Sequence, residues 1–73
     1  MERTMNFNEI FIIHPDGSIE PRQPIQVGGV SFGPGVRFGR GVSFSGIDFS
    51  LFVGRNFQVR EENGILDILG VYQ

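Results

Sequence analysis

Residues 28 to 46, GGVSFGPGVRFGRGVSFSG, repeat one pattern: two apolar positions separated by a polar one, then a glycine-containing corner. Val30, Val36 and Val42 are six apart, and so are Phe32, Phe38 and Phe44. Steps of five or six extend the valine positions to Ile25, Ile19 and Ile13 upstream. Downstream they reach Ile47, Val53, Val59, Ile65 and Val71. All eleven positions are Ile or Val, although only 15 of the 73 residues are of those types, so composition alone does not produce the spacing. The five-residue steps follow Ile25 and Val42, giving a superperiod of 17: Ile13, Val30, Ile47; Ile19, Val36, Val53; Ile25, Val42, Val59. Internal repetition of this kind outranks local propensity as a guide to architecture.

Each Val-x-Phe unit reads as a short strand whose first and third residues share a face, leaving Ser31, Arg37 and Ser43 outward. Between the units the chain must turn, and glycine supplies the positive φ that sharp corners require. Corners are expected at Gly33-Pro34-Gly35, Gly39-Arg40-Gly41 and Ser45-Gly46. Moved back by 17, they fall on Pro15-Asp16-Gly17, on residues 21 to 24, and on Gly28-Gly29. Three sides and three corners predict a short triangular β-solenoid of about three to four 17-residue coils. In this reading residues 1–12 form an N-terminal strand or cap and residues 13–73 the repeat, together one domain. The pattern resembles the hexapeptide-repeat, left-handed β-helix class over about residues 13 to 72, with Phe two positions after the aliphatic residue. The alternative is a small β-barrel or a meander of hairpins. Residues 10–14 would pair with 18–20 around His-Pro-Asp-Gly, and residues 57–60 with 65–71 around Glu62-Asn63-Gly64.

Composition supports an all-β chain under either architecture. There is no Ala and no Lys, while eleven Gly, four Pro and eight Phe supply strand and turn material. With no Cys and a single His, neither a disulfide nor a metal site is expected, and no cofactor. So small a domain buries only about 60% of its unfolded surface, so self-association or very regular packing must contribute its stability. The longest apolar run, Ile10 to Ile13, is far short of the roughly 20 residues of a membrane helix. A soluble, cytoplasmic protein without membrane contact is the expectation.

Candidate chemistry is sparse. His14 could be oriented by Asp16, but a strand-end residue before a turn is the simpler reading, and no catalytic residue is assigned. The enzymes of the β-helix class do not transfer, since one His cannot build the three-His site of the carbonic-anhydrase branch. Gly-Pro-Gly and Gly-Arg-Gly lack the Lys of a phosphate loop and read as corners. Residues 28 to 55 carry Arg37, Arg40 and Arg55 against Asp48 alone, a net +2 between flanks of −2 each. These arginines form a candidate face for an anionic ligand or a partner, with nucleic acid disfavoured. Phe32, Phe38 and Phe44 are expected in the core. Phe7, Phe11, Phe52 and Phe57 lie outside that register, and an interface is expected for at least one of them. The function expected is therefore a non-catalytic interaction or assembly module that forms a homo-oligomer. The alternative is a small regulatory binder of another protein or of an anion.

Overall fold

The computed structural model describes residues 2–39, 41, 43 and 47–72. Among these residues the chain is all-β: seven strands, one helical turn and one 3-10 turn. Strand β1 (Glu2–Asn6) leads into the single turn α1 (Phe7–Ile10), then β2 (Phe11–Ile13), β3 (Ile19–Pro21), β4 (Ile25–Val27) and β5 (Val30–Phe32). The 3-10 turn (Phe49–Phe52) precedes β6 (Asn56–Glu62) and β7 (Ile65–Val71). One sheet has the order β1-β6-β7-β4-β5, the other is the pair β2-β3, and among the described residues neither closes into a barrel.

Hairpins dominate the connections. β2 and β3 pair antiparallel across a loop in which Gly17 has φ +89° and Asp16 accepts from both the Ser18 amide (2.9 Å) and the Ser18 hydroxyl (2.6 Å). β6 and β7 pair around Asn63 and Gly64, whose φ values of +54° and +80° match a two-residue primed turn. β4 and β5 meet around Gly28 and Gly29 in the same way. Both hairpins of the meander reading are thus present.

The triangular coil is corrected by this topology. A turn with two successive positive-φ residues folds the chain back onto the strand it has just left, whereas a coil corner would carry it on to a new side. The glycine signals were in place, but several of them reverse the chain. Nor do the aliphatic positions form one inward column. Ile19, Ile25 and Val59 are buried, while Ile13, Val30, Val36, Ile47, Val53 and Ile65 are exposed. Ile19 pairs antiparallel with Phe38, an isolated bridge with hydrogen bonds of 2.9 and 2.8 Å, so the second layer is β2, β3 and the segment at Phe38. Val42, Phe44 and the Ser45-Gly46 corner lie outside the described residues.

The core lies between the layers. The five-stranded sheet turns Met5, Ile25, Val27, Phe57, Val59, Leu66 and Ile68 inward, and Phe7, Ile10, Phe11, Ile19, Phe38 and Phe49 cover them. Four phenyl rings form a closed circuit: Phe7–Phe11 (4.8 Å), Phe11–Phe49 (5.5 Å), Phe49–Phe57 (6.1 Å) and Phe57–Phe7 (6.2 Å). Tilted rings at these separations satisfy the aromatic quadrupole as well as burying area. The other face of the sheet is polar. Arg60 there contacts Glu2 at 3.1 Å, and Gln58 donates to Glu2 at 2.8 Å. Residues 1–12 belong to this body, since they supply β1 and four of the buried side chains, Met5, Phe7, Ile10 and Phe11.

Candidate functional site

Sequence and structure meet at an apolar hollow of about 120 Å³ on the end of the sheet where β7 finishes and the 3-10 turn crosses over. Its floor is Phe49, Phe57 and Ile68, all buried, and Ile47, Phe52, Leu69, Gly70 and Val71 stand around it. Two local devices create it. In a 3-10 turn, residues three apart lie on one face, so Phe49 and Phe52 point together and Ser50 and Leu51 point away. On β7 the register shifts opposite Gln58 and Val59, whose partners are Gly70 and Ile68. Leu69 is the extra residue of this β-bulge, and a bulge re-aims side chains. Ile68 is buried while its neighbour Leu69, on the alternate position of the strand, is exposed.

The turn is held firmly at both ends. Asp48 caps it, accepting from the Ser50 amide at 3.0 Å and the Ser50 hydroxyl at 2.6 Å, and its other oxygen accepts from the Gly41 amide at 3.2 Å. The Ser50 hydroxyl is the main reason the Asp48 carboxyl titrates below its ordinary value. At the far end the Arg55 amide donates to the Phe52 carbonyl at 3.0 Å. The Asn6 side chain donates to the Gly54 carbonyl at 3.2 Å and to the Asn56 side chain at 3.1 Å. Leu51 is therefore carried outward on a fixed turn and is 74% exposed, with Val53 exposed two residues on.

The phenylalanines divide differently from expectation. Phe7, Phe11 and Phe57 are 0 to 1% exposed, so an interface role for them is corrected: their rings close the core circuit. Phe52 is partly buried, lines the hollow and meets Phe57 edge-on at 6.5 Å. Of the expected core residues, Phe38 is buried and Phe32 packs against the core, their rings 5.3 Å apart.

A second cluster surrounds Glu20 on β3. Its Oε1 is 2.7 Å from His14 Nε2 and 3.9 Å from Arg37 Nε, and its Oε2 accepts from the Gly35 amide at 2.7 Å. The Gly35 amide, followed by the His14 bond, holds the Glu20 carboxyl below the usual carboxylate range. Asp16, the carboxylate that could have oriented His14, holds Ser18, whose hydroxyl is the leading cause of its lowered pKa. This cluster clasps the loop before Phe38 to the β2–β3 hairpin. Among the described residues, no group of three or more His, Cys, Asp or Glu could hold a metal ion. No helix among the described residues is long and apolar enough to cross a membrane.

The arginines do not form one face among the described residues. Arg37 shares Glu20 and Arg55 lies in the loop before β6, with no hydrogen bond or shared partner between them. Arg40 lies outside the described residues. A shallow polar hollow of about 180 Å³ around Gln26, Arg60, Glu62 and Asp67 has its Arg60 paired with Glu2.

Leu51, Leu69 and Tyr72 were missed from sequence. The available signals were the consecutive apolar residues Leu51-Phe52-Val53 between Ser50 and Gly54, and the adjacent Ile68-Leu69 that breaks strand alternation. Comparison with protein-family models, with curated proteins and with solved structures gave no match for this chain.

Proposed function

We propose that this chain is a non-catalytic interaction and assembly module that associates with copies of itself through an apolar surface. The observation that carries the reading is the hollow beside Phe52, lined by the exposed Ile47 and Leu69. Apolar residues scattered singly on a surface need no explanation, but several gathered around a concavity mark a contact site. Size points the same way. A chain of 73 residues without disulfides has a limited core, and association adds burial that the monomer lacks.

Light scattering should give a mass above the 8.1 kDa of one chain, with a melting temperature that rises with protein concentration. Association driven by apolar contact should persist in added salt. The rival reading, an anion or partner held by Arg37, Arg40 and Arg55, weakens steeply with salt. A monomer mass at tens of micromolar with a concentration-independent melt would leave the rival.

A further inference from the structure

Asparagine is a chemically labile residue, and its weak point is the backbone nitrogen of the residue that follows. Once that nitrogen has lost its proton to solvent base, it can attack the side-chain Cγ and close an imide ring. A following glycine leaves the approach unhindered because it has no Cβ. The chain has four asparagines, Asn6, Asn8, Asn56 and Asn63, and one Asp-Gly pair, Asp16-Gly17, open to the same ring closure.

We propose that Asn63 is a site of spontaneous modification, deamidating to aspartate and isoaspartate through an imide with Gly64. At every other candidate the structure engages the attacking nitrogen. The Phe7 amide, next to Asn6, donates to the Arg55 carbonyl at 2.9 Å. The Glu9 amide, next to Asn8, donates to the Asn6 side chain in the capping box of α1. Phe57, next to Asn56, lies inside β6 with Met5 and Val71 as its cross-strand partners. The Gly17 amide donates to the His14 carbonyl at 2.9 Å, and Ser18 holds the Asp16 carboxylate ionised, a form that a nucleophile attacks poorly. Asn63 differs on each count. It is exposed, it precedes glycine, and among the described residues neither its side chain nor the Gly64 amide makes a hydrogen bond.

The reaction needs no reagent but water. The Gly64 nitrogen bonds to Asn63 Cγ, the Cγ–Nδ2 bond breaks, and Nδ2 leaves as ammonia with a proton from solvent. Water then adds to one of the two ring carbonyls. Opening at Cγ restores the backbone as aspartate, whereas opening at the backbone carbonyl leaves the chain running through the side chain as isoaspartate. Nothing is oxidised or reduced.

The hairpin gates this chemistry. A type I′ turn sets ψ of its first central residue at about +30°, which puts the next nitrogen roughly opposite Cβ across the Cα–C bond. Ring closure needs the two on the same side, so the β6–β7 turn must open first. Opening is local, and each tenfold slowing corresponds to about 1.4 kcal/mol of opening free energy. The products then act on the hairpin itself. Isoaspartate adds a backbone carbon to a two-residue loop that holds Glu62 opposite Ile65, and either product adds a negative charge beside Glu62.

The test incubates the full chain at mildly alkaline pH, folded and in denaturing urea, and maps tryptic peptides by mass and chromatography. Every basic residue is Arg, so cleavage isolates Asn56 in residues 56–60 and Asn63 in residues 61–73. In the folded chain, peptide 61–73 should convert to its aspartate and isoaspartate forms at least about tenfold faster than the peptides carrying the other three asparagines. Urea should speed that conversion about tenfold or more, because it removes the gate. The aged protein should melt at least about 5 °C below the fresh protein, the shift a tenfold change in the folding equilibrium implies for a domain this size. It should also melt below Asn63→Asp, which carries the charge without the added carbon. Asn63→Gly, which keeps the turn and lacks the side-chain amide, should age without either change. Another asparagine reacting as fast as Asn63 in the folded chain would overturn the assignment. So would an Asn63 that stays intact in the folded chain while the urea-unfolded chain converts. Equal rates in urea and in buffer would overturn the gating by the hairpin.

Discussion

Glu20 and Arg37 stand opposite each other, Oε1 to Nε 3.9 Å, one step along each chain from the antiparallel bridge between Ile19 and Phe38. Ile19 and Phe38 exchange both backbone hydrogen bonds and are buried. The next pair along an antiparallel ladder is the close, non-hydrogen-bonded one, with side chains on the opposite face. Glu20 and Arg37 are therefore neighbours on the outer side. Their spacing of 17 residues also predicts the pair in a coil stack, so the same contact is reached by a different route.

The clasp centred on Glu20 should be asymmetric in its energetics. Glu20 serves His14, the Gly35 amide and Arg37, whereas Arg37 is more than half exposed and sits at the long limit of an ion pair. Exposed pairs contribute little. Glu20→Ala should lower the melting temperature clearly more than Arg37→Ala. Equal effects in paired thermal melts would mean that the ion pair, rather than the Gly35 and His14 bonds, holds the loop.

Acid should destabilise the chain through three named carboxylates. Asp16, Glu20 and Asp48 all have pKa values lowered in the folded state, by Ser18, by Gly35 with His14, and by Ser50 respectively. A folded pKa below the unfolded one means that the unfolded chain binds more protons during acidification. The stabilisation is full above the ordinary range near pH 4 and is lost as pH falls through the lowered folded values. Melts from pH 7 to pH 3 should show a decline starting near pH 4–5, shallower in the double variant Asp16→Asn, Asp48→Asn. A double variant that tracks the wild type would assign the acid sensitivity elsewhere.

How far the fold was legible depends on what each signal encodes. The Asn63-Gly64 and Gly28-Gly29 pairs and the His-Pro-Asp-Gly turn marked their positions correctly, because positive φ is a local demand that glycine meets at the residue concerned. Whether a turn reverses the chain or carries it onward depends on two successive residues and on the strands they join. The valine period therefore outlined strands without fixing their partners. β7 lies between β6 and β4, an arrangement joining residues 25 and 66 that no local pattern announces. Phe7 and Phe11 lay outside the apparent repeat, yet they complete the core, since α1 turns both toward Phe57 and Phe49. The hollow was partly visible in Phe52. The register shift that leaves Leu69 without a cross-strand partner depends on pairing that sequence alone does not supply.

The β6–β7 turn offers a direct check of the hairpin. Gly64 has φ +80° with nothing within 4 Å of an added Cβ, so replacement meets backbone strain and no clash. A non-glycine residue in that region costs about 1–2 kcal/mol. Gly64→Ala should lose about that amount, and Asn63→Gly, which keeps a permissive residue at φ +54°, should be near neutral. Urea unfolding of both variants distinguishes this turn from a coil corner, where Asn63→Gly would have no reason to be favoured over Asn63→Ala.

The ring circuit and the exposed turn make opposite predictions for residues of similar apolar character. Phe11 is fully buried and contacts Phe7 and Phe49, so Phe11→Ala leaves a cavity inside both contacts. Such truncations cost about 3–5 kcal/mol. At roughly 0.05–0.15 kcal/mol per residue the whole domain has about 4–11 kcal/mol of stability, so this one change removes a large share and should lower the melting temperature by about 15–30 °C. Leu51 is 74% exposed, and Leu51→Ala should change the stability of the dilute chain by no more than about 0.5 kcal/mol. Melts of both variants therefore separate a core side chain from an exposed one. A large loss for Leu51→Ala would place Leu51 inside the fold.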